Sequence, residues 1–232
     1  MTDKETDKYF MQKVIELAKN GQYTVHPNPM VGAIVVKNNK IISSGYHRKP
    51  GGPHAEQEAI KKAGSDAKNS TLYINLEPCC HYGRTPPCSD LIIQSKIRRV
   101  VVSCLDPNPL VNEMGIAKLR DQGIEVTVGV LEKRAIEINA GFIKRMSTGI
   151  PWVRAKMAST IDGFSALKSG ESKWITCEEA RKDGHKWRAR SCAILTGIGT
   201  IQKDNPNLSV RAVKTKRQPT NKEFIDSIRL EG

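Results

Sequence analysis

No apolar run in the sequence is long enough to span a bilayer, so a membrane-spanning helix is not expected. The polar opening "MTDKETDKYF" leads into no apolar stretch, and no secretory signal is read there. Internal repeats and low-complexity segments are also missing, which removes solenoid and tail-like architectures. Aromatic residues are scarce at 5%. Single-strand nucleic-acid binders lean on stacked rings, so nucleic acid is a weak candidate partner despite a net charge of +13. That basic balance equally suits a phosphorylated metabolite. What remains is an ordinary globular composition, 26% charged and 38% apolar, in 232 residues, enough for one large domain or two modest ones. The compartment these absences imply is the cytoplasm.

A reducing compartment argues against pairing the six cysteines into disulfides. Their spacing is uneven. Cys79, Cys80 and Cys88 cluster, whereas Cys104, Cys177 and Cys192 are scattered. Cys104 follows "RVVVS" and Cys192 precedes "AILTG", so both are expected on buried strands as small core residues.

Periodicity organises the rest. Residues 8–19 place Met11, Val14, Ile15 and Ala18 on one helical face, and Gly21 follows as a stop. "MVGAIVV" and "IISSGY" flank "KNNK" as a β-hairpin. A helix over 55–62, the strand "TLYINL", a helix near 89–95, the strand "RVVVSCL", a helix near 115–121 and the strand "IEVTVGV" come next. A longer helix is expected over 132–145. This alternation predicts an α/β layered sheet with helices on both faces. "MSTGIPW" reads as a linker. After it come a second strand "WVRAKMA", a helix "CEEARKDGHKWRA" and a strand "CAILTG". The basic stretch "AVKTKRQPTNKEF" reads as a loop.

The densest chemistry lies between His54 and Cys88, in "HAEQEAI" and "LEPCCHYGRTPPC". A zinc ion that activates water needs three protein ligands and one open position, and imidazole plus thiolates suits it. A carboxylate beside the metal can carry the proton. Adjacent Cys79 and Cys80 diverge and rarely chelate one ion together. Cys88 follows two prolines where a helix would start, and a helix N-terminus favours thiolate. His54, Cys79 and Cys88 are therefore expected as ligands and Glu56 as the proton carrier. A fourth ligand from Cys80 or His81 would instead make the site a structural brace.

The arrangement is similar to the H-x-E … P-C-x-x-C signature of zinc-dependent cytidine and nucleobase deaminases, with eight residues, "CHYGRTPP", between the cysteines in place of two. Together with "HPNPMVGAIVV", "GYHRKPGGPHAE" and "DPNPLV", it resembles the RibD family of bifunctional riboflavin-biosynthesis enzymes through residues 8–147. The resemblance implies a cytidine-deaminase-like three-layer α/β/α domain over 1–147 and a phosphorylated diaminopyrimidinone substrate. It implies substrate contacts at Asn28, His47 and Arg84. Beyond Pro151 the chain is similar to the opening of the family's reductase domain, a dihydrofolate-reductase-like α/β fold, over 148–232. There the resemblance implies NADPH contacts at Ala158, Trp174, Thr200 and Asp204, and substrate contacts at Ser172, Arg188, Leu208 and Arg211. Because the later reductase segments do not follow "FIDS", an uncovered apolar face and weak reductase activity are expected unless a separate polypeptide completes the fold. Deaminase folds often pair, which admits a homo-oligomer. Competing readings are a nucleic-acid base deaminase and a zinc-braced binding module.

Overall fold

The computed structural model describes residues 2–82, 86–109, 111–215 and 219. Helix α1 (Asp3–Ala18) starts at a capping box: Thr2 Oγ1 accepts from Glu5 N, and Glu5 Oε2 accepts from Thr2 N. Its buried residues, Phe10, Met11, Val14, Ile15 and Ala18, recur at helical spacing. Strands β1 (Gly32–Lys37) and β2 (Lys40–Tyr46) form the expected hairpin. Asn38 and Asn39 turn it at φ 51° and 56°, a left-handed conformation that asparagine tolerates better than most residues. The remaining elements of the first unit are α2 (Ala55–Ala63), β3 (Thr71–Leu76), α3 (Cys88–Gln94), β4 (Arg99–Cys104), α4 (Met114–Asp121) and β5 (Glu125–Val128).

The five strands pair in the order β2-β1-β3-β4-β5, with β1 antiparallel to both neighbours and β3, β4 and β5 mutually parallel. The period of two sorts side chains between two cores. Ala33, Val35, Leu72, Ile74, Val100 and Val102 face α2, α3 and α4, meeting Ala59, Ile92 and Leu119. Ile34, Val36, Tyr73 and Val101 face α1 and meet Phe10, Met11 and Val14. Burial on both faces explains why the parallel strands read as continuous apolar runs. Strand β2 lies so close to α2 that a Cβ at Gly45 would come within 2.5 Å of Ala55 O and 2.6 Å of Glu58 Cβ. That contact fixes where α2 begins.

The helix expected over 132–145 is two: α5 (Glu132–Ile138) and α6 (Ala140–Thr148), broken at Asn139 with φ −111°. The break has a cause. The buried Asn139 side chain bonds the backbone of Met30, a residue 109 positions away.

Compactness divides the chain after Trp152, and the second unit is Val153–Gly232. Helix α7 (Glu178–Arg190) matches expectation, and α8 (Ile198–Asp204) was not foreseen. Neither strand expected here forms. Residues 152–158 carry no ladder, and 192–197 contribute only an isolated bridge. A strand needs a neighbour for its N–H and C=O groups, and no described residue of this unit extends one. Cys192 is consequently exposed, not a buried strand residue, and so is Cys177. Val153, Met157, Ile161, Phe164 and Leu167 all stand exposed.

One polar tie crosses the first unit. Buried Asp7 on α1 accepts from Tyr73 Oη at 2.8 Å and from Arg99 at 2.9 and 2.7 Å. Glu125 lies 2.8 Å from Arg99 Nε but is misaligned for a hydrogen bond. Replacing Asp7 by Ala removes the phenol's acceptor and leaves Arg99 only Thr127 Oγ1 and the exposed Glu125, and should cost about 3 kcal/mol in urea unfolding. Asp7→Ala together with Arg99→Met should recover part of that loss.

Candidate active site

The site is assembled where β3 ends and two helices begin. β3 runs out at Leu76, and Glu77-Pro78-Cys79 turns away from the sheet. α2 starts immediately after His54, whose N–H is held by Gln57 Oε1 at 3.2 Å. α3 starts at Cys88, after Pro86 and Pro87. Cys88 N donates to Cys79 Sγ at 3.4 Å and Ser89 N to Cys79 O at 3.1 Å, which folds the turn onto the helix start. His54 Nδ1 consequently lies 3.6 Å from Cys79 Sγ and 3.3 Å from Cys88 Sγ. All three ligand atoms fall within 4.8 Å of one another, and no other described His, Cys, Asp or Glu joins them.

The protons at this trio are strongly polarised. Cys88 donates to Cys79, and that bond, with His54 opposing the cost of burial, takes the Cys79 thiol down to about 4. The same bond, then burial and the nearby Glu56, pushes Cys88 well above the ordinary thiol range. His54 is raised by its bond to Cys79. An imidazole beside two sulfurs of which one already favours thiolate is a donor set that suits zinc. With three donors the protein leaves a tetrahedral position open. Cys80 and His81 stay outside the cluster: Cys80 is half-buried and His81 exposed.

Glu56 sits two residues into α2 and is 3% exposed. Burial raises its carboxyl pKa, although His54 opposes the shift. A carboxyl held in that state can both accept and return a proton. Beside it opens a cleft walled by Asn28, His47, Glu56, Asp106, Phe142 and Met146.

His47 and Asn28 meet in this cleft. His47 Nδ1 lies 3.0 Å from Pro53 O, which can only accept, so Nδ1 carries the proton. Nε2 then accepts from Asn28 Nδ2 at 3.1 Å. Burial lowers the His47 pKa, against the raising effect of the Pro53 bond. The pairing orients the Asn28 amide and leaves Oδ1 as its acceptor for a ligand. Arg84, expected as a third contact, lies outside the described residues.

Sequence reasoning missed the groups behind these. Buried Glu77 accepts four backbone N–H bonds, from Asp106, Glu113, Gly115 and Ile116 at 3.0–3.2 Å, and so ties the start of α4 to the metal turn. A Cβ at Gly115 would meet Pro78 O at 2.2 Å, so only glycine lets α4 approach. Asp106 is pushed up to about 6, first by burial and then by Glu77. Asn75, wholly buried within an apolar strand, was the visible signal: a polar side chain there must have a partner.

The second unit brings together only part of what was expected of it. Arg188 and Arg211 both donate to Asn207 O, at 3.2 and 2.9 Å, next in sequence to the half-buried Leu208. Trp174 is exposed under the Arg181 guanidinium at 4.3 Å. Thr200 and Asp204 are exposed on α8, Ser172 is exposed, and Ala158 is half-buried, with no contact that gathers them.

Comparison with known proteins agrees with this layout. A family model described as the cytidine and deoxycytidylate deaminase zinc-binding region matches residues 4–104, and one for the RibD C-terminal domain matches residues 151–225. The riboflavin biosynthesis protein RibD of Aquifex aeolicus is 51% identical over 216 residues, covering 93% of this chain and 61% of that protein. The Escherichia coli protein of the same name is 47% identical over 205 residues, covering 88% of this chain and 56% of that protein. Among solved structures, Acinetobacter baumannii RibD superposes with a TM-score of 0.91 at 48% identity, over 94% of this chain and 63% of that one. A Thermotoga maritima structure, titled a diaminohydroxyphosphoribosylaminopyrimidine deaminase/5-amino-6-(5-phosphoribosylamino)uracil reductase, gives 0.89 at 45% identity, over 94% and 62%. The chain thus spans about 60% of the length of the relatives it matches. Over that span, in sequence and in fold, it belongs to the RibD family.

Proposed function

We propose that the first unit is a hydrolytic deaminase of riboflavin biosynthesis. It would convert 2,5-diamino-6-(5-phosphoribosylamino)pyrimidin-4(3H)-one to 5-amino-6-(5-phosphoribosylamino)uracil and ammonia. The observation that carries this reading is Glu56, buried beside a His/Cys/Cys cluster at the wall of a cleft that Asn28 and His47 also line. The substrate comes from the family relationship, since the Thermotoga maritima relative is titled a deaminase of this compound.

His54, Cys79 and Cys88 would hold zinc, which when bound supplies Lewis acidity toward water at the open position. Glu56 accepts a proton from the attacking water as a C–O bond forms at the ring carbon bearing the exocyclic amine. It returns that proton to the amine nitrogen as the C–N bond breaks and ammonia leaves, so water is consumed and the carboxylate regenerated. Asn28 Oδ1 accepts a hydrogen bond from the pyrimidine, held in place by His47, and Arg84 is assigned to the substrate as well. Phe142 and Met146 give the ring an apolar wall.

The domain assignment that follows is a deaminase over 1–147 and the opening part of a reductase over 148–232. Arg188, Leu208 and Arg211 are then assigned to a phosphate-bearing substrate, with Ser172 beside them. Ala158, Trp174, Thr200 and Asp204 are assigned to NADPH. The convergence of two arginines on Asn207 O supports the anion assignment. The cytoplasm is the compartment proposed, and no helix among the described residues is long and apolar enough to cross a membrane.

Glu56→Gln should abolish ammonia release by about 10²–10⁴-fold while one zinc per chain and the unfolding midpoint are kept. Unchanged turnover in that variant would sink the catalytic reading in favour of a zinc-braced binding module. Cys88→Ser should instead lower zinc content, stability and activity together. A variant that keeps full zinc would remove Cys88 from the ligand set.

A further inference from the structure

Resting on that reading, we propose that Asn139, acting with Asn75, is a positioning residue of the deaminase cleft, setting the place of Asn28 by gripping the backbone of Met30. Two positions separate Asn28 from Met30, and neither Pro27 nor Pro29 can donate a backbone hydrogen bond. The segment lies ahead of β1, which begins only at Gly32. Its backbone is tied by Asn28 N to Val25 O at 2.8 Å and by His47 N to Val31 O at 2.9 Å, and at Met30 side chains take over. Asn139 Oδ1 accepts from Met30 N at 2.7 Å, and Asn139 Nδ2 donates to Met30 O at 2.9 Å. Asn75 Nδ2 donates to the same Met30 O at 2.9 Å, while Asn75 Oδ1 accepts from Gly32 N at 2.8 Å. Both asparagines are buried, at 4% and 0% exposure, so each bond lies in a medium where its loss is not replaced by water.

The grip works in two directions. Asn139 leaves the helical conformation to reach Met30, and the helix that resumes after it carries Phe142 and Met146 into the wall of the cleft. One residue therefore ties the polar arm of the cleft, Asn28 with His47, to its apolar wall. Asn75 adds the sheet as a fixed reference, because β3 pairs on both edges.

The test has two readouts in the zinc-loaded chain. The first is the ¹⁵N shift of His47 Nε2, which reports the hydrogen bond from Asn28. In Asn139→Ala it should move most of the way to its value in Asn28→Ala. An unchanged shift in folded Asn139→Ala overturns the proposal, and this readout does not depend on whether the chain deaminates. The second is a double-mutant cycle on deamination. Asn139→Ala should lower kcat/KM roughly 10–100-fold in the native background. In the Asn28→Ala background it should cost less than about twofold, because the residue it positions is already gone. Equal losses in both backgrounds mean a purely structural role and overturn the proposal. Asn139→Ser, which can keep the acceptor for Met30 N, serves both readouts if the alanine variant does not fold. It should fall between native and Asn28→Ala, and a native value in both readouts contradicts the grip.

Discussion

Everything at the site of the first unit depends on two helices beginning at the same place. α2 starts at His54 and α3 at Cys88, both beside the carboxyl end of β3, and Cys79 on the turn between strand and helix completes the trio. Helix starts are rich in unpaired N–H groups and therefore favour anionic sulfur. The Cys79 thiol accordingly receives both Cys88 N and the Cys88 thiol. Gly45 lets α2 sit close on β2, and Gly115 lets α4 sit close on Pro78 in the turn before Cys79. A small residue at a helix–strand contact is thus as much part of the site as the ligands.

Polar groups buried behind the site follow a common logic. Glu77 supplies four acceptor contacts to a loop and helix start that have no strand to pair with. Asn75 and Asn139 do the same for the segment around Met30. In each case backbone groups that a regular element would satisfy are satisfied by one side chain reaching from far along the sequence. This converts irregular loops, which carry the chemistry, into rigid parts of the scaffold. His47 extends the pattern to a side chain: fixed by Pro53 O, it fixes Asn28 in turn.

Much of the first unit was legible because its signals are local. The hairpin followed from apolar alternation around "KNNK", and β3 and β4 from short β-branched runs. The ligand trio followed from metal chemistry, and the structure brings those three together without Cys80 or His81. The break at Asn139 was illegible, because its cause is a partner 109 residues away. Glu77 stood in plain sight in "LEPCC", yet its four partners lie 29 to 39 residues further on, in a loop and at the start of α4, which periodicity does not bring to it. In the second unit the apolar runs "WVRAKMA" and "CAILTG" carry a strand pattern, but pairing is a property of neighbours, and among the described residues they have none. The same lack accounts for Cys192 standing exposed.

The central claim is that one metal held by His54, Cys79 and Cys88 turns the Glu56 cleft into a deaminase. Ammonia release from the diaminopyrimidinone, followed as zinc is titrated into metal-stripped chain, tests it most directly. The rate should rise in proportion to bound zinc and level off at one ion per chain. Full release from the metal-free chain, or none at one zinc per chain, would contradict the account.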